Sequence, residues 1–312
     1  MENFLLSINV VLPLFMPIVL GYILKKLKFY DEYILKAMNK LVFKVFLPVL
    51  LFVNVYNTTL KDSLNTSLML YAVVCLCIIY FGTWLIVHFT EKEDKNRSVI
   101  IQGIYRSNFI LFGIPVTSAL FQEKGVGVVT MLIAIIVPLY NVFAVIILEV
   151  YRGGKIDVNK VIRGVLCNPL IIGSMTGILF LLFGIKLPSF LEKTTVDISK
   201  AATPIALIVL GGTFRFSAVR GCLKELLAAV LGRNLIVPVI FVFTSVMIGY
   251  RGVELSALVS MFTAPTAVSS FTMAEQMDAN GELAGQIVVF TSIFSSLTIF
   301  FTVFVIKAMN FI

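Results

Sequence analysis

Apolar residues in this chain run in long blocks, not in the alternation of a half-buried strand or the narrow stripe of a surface helix. Ten blocks are separated by short polar or turn-forming stretches. The first five are approximately Leu6 to Leu24, Met38 to Tyr56, Leu68 to Phe89, Val99 to Phe121 and Val126 to Tyr151. The second five are Val165 to Phe183, Val196 to Phe214, Leu226 to Ile248, Val253 to Gln276 and Leu283 to Met309. Each holds about the 20 residues that an α-helix needs to cross a bilayer. The pattern predicts an all-α polytopic membrane protein with ten transmembrane helices.

Composition sharpens that reading. The 312 residues are 59% hydrophobic and 13% charged, with a mean hydropathy of +1.01, which leaves no room for a soluble domain of useful size. The first block is longer than a signal-peptide core, ends in Lys25, Lys26 and Lys28, and lacks a following small-residue cleavage site, so it is expected to remain as a span. A net charge of +8 matters here through its distribution. With the N-terminus outside, fourteen Lys and Arg fall on internal connections and seven on external ones. This predicts a multi-pass protein of the cell (plasma) membrane with both termini outside, and no nucleic-acid partner.

The prolines suggest an internal repeat. Pro17 with Gly21 matches Pro169 with Gly173 at an offset of 152, Pro48 matches Pro204 at 156, and Pro115 matches Pro265 at 150. Five spans per copy is an odd number, so the second copy is inverted relative to the first. The expected organisation is a first five-helix repeat over 1–151, a short cytoplasmic connection over 152–164 and a second repeat over 165–312.

The candidate site lies in Gln102 to Phe121, QGIYRSNFILFGIPVTSALF, where Gly113-Ile114-Pro115 predicts a break into two half-helices. In the ninth block, LVSMFTAPTAVSSFTMAEQ repeats the signal at Ala264-Pro265. Helix starts near Val116-Thr117 and Thr266-Ala267 would then converge and favour an anion. Ser107, Asn108, Thr263, Thr266, Ser269, Ser270 and Thr272 offer hydroxyls and an amide nearby, although such residues also serve as helix contacts in membranes. Arg106 and Glu275 are spaced to pair as a gate or charge-neutralising clamp, with snorkelling as the alternative. Arg233 faces the cavity, takes the space of a cation, or snorkels to the inner surface.

Other chemistry is thin. Cys75, Cys77, Cys167 and Cys222 read as reduced packing residues, and His88 as interfacial. No His, Cys or carboxylate constellation suits hydrolysis or a metal, so neither an enzyme nor a cofactor is expected. No acidic pair at midmembrane offers a seat for tight cation coupling.

Three stretches, RSNFILFGIPV, NPLIIGSMTGIL and APTAVSSFTMAEQMDANGELAGQIVVFTSI, are similar to the auxin efflux carrier family. That family includes bacterial malate and malonate permease-like members and plant PIN-type exporters, and the resemblance covers essentially the whole chain. It implies a ten-span inverted-repeat transporter, NhaA-like and bile-acid-transporter-like, with crossed, proline-broken fourth and ninth helices and elevator-type alternating access. Spans 1, 2, 6 and 7 would form a scaffold, and spans 3–5 and 8–10 a transport domain. The family's crossover residues correspond to Asn108, Gly113, Ile114, Pro115, Ala264, Pro265 and Thr266. The long hydrophilic loop of many plant members is absent, only Arg152 to Arg163 joining the halves, which points to a microbial carboxylate carrier.

The expected substrate site is therefore Asn108, Gly113, Ile114, Pro115, Val116, Thr263, Ala264, Pro265, Thr266 and Ser269, with Arg106, Arg233 and Glu275 as gate or countercharge. The expected function is secondary transport of small organic anions, malate- or malonate-like or auxin-like weak acids. The rival readings are a sodium-coupled carrier of larger amphipathic anions such as bile-acid-like compounds, and a carboxylate sensor that moves nothing. The apolar first, second and seventh spans also allow a homodimer through the scaffold.

Overall fold

The computed structural model describes residues 2–57, 65–153 and 158–312; Lys61 and Lys155, both used in the charge count, lie outside them. All ten apolar blocks are helical. In order, α1 is Glu2–Lys26, α2 Glu32–Tyr56, α3 Thr66–Thr90, α4 Asp94–Tyr105, α5 Phe109–Gln122 and α6 Lys124–Val150. There follow α7 Val158–Leu166, α8 Pro169–Leu182, α9 Ser189–Thr213, α10 Phe216–Ile248, α11 Gly252–Thr263, α12 Ser269–Gln276 and α13 Gly281–Ala308. Among the described residues six helices (α2, α3, α6, α9, α10 and α13) are long and apolar enough to cross a membrane, and α5, α8 and α11 are shorter apolar helices.

Helix starts are written locally. Asp31, Asn65, Asn168 and Asn280 each accept a hydrogen bond from a first-turn amide, those of Ile34 at 2.8 Å and of Leu68, Leu170 and Leu283 at 3.0 Å. Such caps answer donors that a helix start leaves open. Gly249, at φ 106°, ends α10 in the left-handed region. Helices α5 and α6 double back at Gln122 (φ 53°, ψ −136°), and Gly125 lets them approach, since a Cβ there would lie 2.5 Å from the Thr117 carbonyl oxygen.

The two proline–glycine pairs do related work. Helix α1 packs along α9, and α2 along α8. A Cβ on Gly21 would stand 2.0 Å from the Ile208 oxygen, and one on Gly173 2.4 Å from the Pro48 oxygen. Gly211 returns the α1–α9 contact, 1.9 Å from the Ile18 oxygen, and Gly177 extends the α2–α8 contact, 2.9 Å from the Phe52 oxygen. Close backbone approach at small residues is how helices gain packing energy where no water drives them together.

The connections gather at two ends of the bundle. Lys25, Lys36, Arg215 and Glu282 line one cavity, and Arg152 bonds Asp278 at 2.9 Å and Glu149 at 3.1 Å on that side. At the other end Asn65 donates to Glu254, and the Gly252 amide donates to the Phe311 oxygen at 2.8 Å.

The α1–α9 approach makes a testable demand. Gly211→Val should cost about 1–3 kcal/mol by overpacking, read as a lower melting temperature in detergent. Gly82→Ala, inside α3 with open space where its Cβ would go, should not lower the transition and should raise it slightly, since alanine is favoured over glycine in a helix interior.

Candidate functional site

The ninth block breaks where its sequence says it should. Ala264 precedes Pro265, which disfavours helical backbone, and it is extended (φ −61°, ψ 146°), closing α11. Helix α12 resumes at Ser269.

The fourth block breaks elsewhere. The expected break at Gly113-Ile114-Pro115 is not there; the chain unwinds at Arg106, Ser107 and Asn108, and Pro115 sits inside α5 on an exposed face. Pro115 withholds the amide that would bond the Leu111 oxygen, and one turn further the Thr117 hydroxyl donates to the Gly113 oxygen at 2.6 Å and the Ile114 oxygen at 3.3 Å. The break comes from tertiary pairing. Ser107 and Thr266 form an antiparallel bridge, the Asn108 amide donates to the Pro265 oxygen at 2.7 Å, and the Ala267 amide to the Arg106 oxygen at 3.1 Å. Two extended peptides cross, each supplying the partners that the other lost on leaving the helix. Pro115 and Pro265 are therefore not equivalent points; the paired residues are Ser107 and Thr266.

Arg233 locks the crossing from one side. It is 1% exposed and stands on a π-helical segment of α10, Gly232–Ile236. Its Nε donates to the Ala264 oxygen at 2.7 Å, Nη1 to the Ile104 oxygen at 3.1 Å, and Nη2 to the Met261 and Phe262 oxygens at 2.8 and 3.2 Å. All four carbonyls belong to the C-terminal ends of α4 and α11, the negative poles of the two interrupted helices. Charge-assisted bonds contribute about 1.5–3 kcal/mol each, so four of them offset the several kcal/mol lost in burying a guanidinium. Of the three roles open to Arg233, snorkelling is excluded, because the side chain is buried and turned onto these four carbonyls.

The positive poles face the other way. The starts of α5 and α12 have no side-chain caps, and both border a cavity of about 90 Å³. Arg106, Ser107, Asn108 and Ser269 line it, with Tyr140 and Asn141 of α6. Leu47, Leu50 and Leu51 of α2, Leu170 of α8, and Thr203 and Ala206 of α9 form a mainly apolar opposite wall. Arg106 is 3% exposed and, among the described residues, bonds neutral groups only, the oxygens of Gln102 (3.3 Å) and Asn141 and the sulfur of Met273. The Ser107 hydroxyl meets the Tyr140 hydroxyl at 3.0 Å, and the buried Nδ2 of Asn108 has no acceptor among the described residues.

The structure brings together Arg106, Asn108, Ala264, Pro265, Thr266, Ser269 and Arg233. Thr266 holds the crossing by its Oγ1 donating to the Gly103 oxygen at 2.6 Å. Thr263 bonds its own helix at the Val259 oxygen. Gly113, Ile114, Pro115 and Val116 lie one to two turns along α5 and do not line the cavity. The expected Arg106–Glu275 pair does not form. Glu275 is exposed in a second cavity of about 500 Å³, with Lys25, Lys36, Arg215 and Glu282, while Arg106 is held at the break. Tyr140 and Asn141 were not among the expected residues; the available signal was an amide three residues after Pro138 in an apolar block.

The position of the break can be checked by stability. Pro115→Ala should raise the melting temperature, since a proline within a helix costs up to about 3 kcal/mol relative to alanine. Pro265→Ala, in a backbone already extended, should lower it, through a loss of about 0.4–1 kcal/mol that acts on the unfolded chain. A break at Pro115 would reverse the first result.

Comparison with known proteins adds to this geometry. The family described as membrane transport protein matches residues 6–303. An uncharacterized transporter of Methanocaldococcus jannaschii is 24% identical over 305 residues, covering 95% of this chain and 97% of that one. One of Methanothermobacter thermautotrophicus is 23% identical over 298 residues, covering 94% and 96%. The uncharacterized transporter YfdV of Escherichia coli is 25% identical over 219 residues, covering 66% and 70%. With a match spanning residues 6–303, the chain belongs to the membrane transport protein family, the auxin efflux carrier family that its motifs resemble, and is a multi-pass membrane transporter.

Proposed function

We propose that this protein is a secondary transporter of small organic anions, malate- or malonate-like carboxylates, bound at the helix crossover. The observation that carries the reading is Arg106, a buried guanidinium with neutral partners only, set in a cavity wall beside the starts of α5 and α12. A carboxylate there would meet a full positive charge and two positive helix poles, which offset its dehydration. Asn108 Nδ2 adds a donor that lacks an acceptor.

Volume argues for a small substrate. About 90 Å³ is well below the ~300–1,000 Å³ of pockets that hold drug-sized molecules, so the reading as a carrier of bile-acid-like compounds is disfavoured. A short dicarboxylate or another compact weak acid suits the space better.

The position of the cavity supports an elevator-type mode of transport. In this reading the chain crosses the membrane ten times as two inverted five-helix sets. Helices α1, α2, α8 and α9 form a scaffold, and α3–α6 with α10–α13 a transport domain. Support comes from the matched Gly21 and Gly173 approaches and from two breaks that cross each other. The cavity lies between the two sets, polar on the crossover side and mainly apolar on the other, a wall along which the loaded crossover can slide. Both termini are placed outside the plasma membrane, because the connections at the Lys25, Lys36 and Arg215 end are the more basic ones.

The test is uptake of radiolabelled malate into proteoliposomes, with unlabelled malonate, citrate, indole acetate and taurocholate as competitors. Saturable uptake blocked by malonate is expected. Arg106→Gln should reduce it by about tenfold or more, the worth of one charge-assisted contact, with Arg106→Lys intermediate. Binding without uptake into sealed vesicles would instead mark a sensor.

A further inference from the structure

The geometry points to Arg233 as a built-in replacement for a coupling cation: the carbonyl cluster that it fills is a monovalent-cation site which this chain occupies with its own side chain. In broken-helix carriers, unwound carbonyls and half-helix C-terminal ends coordinate the driving cation. Here the oxygens of Ile104, Met261, Phe262 and Ala264, from both interrupted helices, converge on one guanidinium. No carboxylate joins them among the described residues.

The surroundings hold Arg233 in that position. The π-helical segment that carries it widens one turn of α10. Gly232 next to it admits the Ile104 side chain, which would lie 2.8 Å from an added Cβ. On the other flank, Asn234 Nδ2 donates to the Thr291 oxygen at 3.0 Å, and the Thr298 hydroxyl donates to the Asn234 oxygen at 2.8 Å. Thr291 Oγ1 in turn accepts from the Thr266 amide at 3.2 Å, so α13 fixes both Arg233's helix and the crossover. Arg233 is a positioning residue: it faces the negative poles, while the anion cavity lies at the positive ones and Arg233 does not line it.

The consequence for transport rests on the function proposed above, but the cation site itself does not. A fixed charge cannot leave with the substrate, so the loaded and empty carriers differ by the substrate's charge alone. Transport then needs no sodium and responds to membrane potential.

The experiment is thermal unfolding of the purified full-length protein in detergent, at equal ionic strength, with sodium, potassium or N-methyl-D-glucamine as the cation. Wild type should melt at one temperature in all three. Arg233→Ala should melt at least about 5 °C lower. Low millimolar guanidinium should restore at least half of that loss, sodium or potassium less, and N-methyl-D-glucamine none. Arg233→Lys, which keeps the charge with fewer donors, should lose less than Arg233→Ala and gain nothing from guanidinium; it carries the test if the alanine variant does not fold.

Specific stabilisation of wild type by sodium, an Arg233→Ala loss that no cation restores, or equal losses in the Lys and Ala variants would overturn the inference. None of these readouts involves substrate. Failure of malate uptake with the expected melting behaviour would therefore reject the carboxylate reading and leave the cation replacement standing.

Discussion

When a helix opens inside an apolar bundle, every peptide group released from it must find a partner there. In this protein two openings find each other. The strands at 106–108 and 264–268 exchange backbone hydrogen bonds, and Arg233 takes the carbonyls that remain at the ends of α4 and α11. Remove either half and the other would bury unpaired polar backbone at a cost of several kcal/mol per group. The rest of the architecture can be read as what keeps these two strands crossed.

The crossing is electrically lopsided, and the lopsidedness suits an anion. Two negative helix poles are filled by a guanidinium; two positive poles are left to a cavity that already holds a second guanidinium with neutral partners. Neither arginine is paired with a carboxylate among the described residues. The buried charge that would be prohibitive in a packed core is distributed over carbonyls at one site and set among neutral polar groups in a cavity wall at the other.

Around this centre the packing divides into tight and loose contacts. The α1–α9 and α2–α8 contacts run through glycines that bring backbones together, which makes a stiff pair of pairs. The surface they turn toward the crossover is mainly Leu and Ala, without directional bonds that would fix one register. Close packing within these pairs and weak specificity at the wall they present are what the proposed sliding mode requires.

The amino-acid pattern by itself determined the ten helical blocks, because long apolar runs bounded by caps and turns leave few alternatives. It also determined the ninth-block break, where a proline removes an amide and holds Ala264 extended. It placed Asn108, Thr266 and Ser269 near the centre. The fourth-block break was illegible: no proline or glycine marks Arg106–Asn108, and Pro115, the obvious breaker, is absorbed within α5. Only the tertiary structure decided that position, since the strand at 106–108 exists through the hydrogen bonds of a segment some 160 residues later. It likewise separated Arg106 from Glu275 and turned Arg233 inward. Local sequence records where a helix can end; which buried groups meet depends on partners that only the assembled bundle brings within hydrogen-bonding distance.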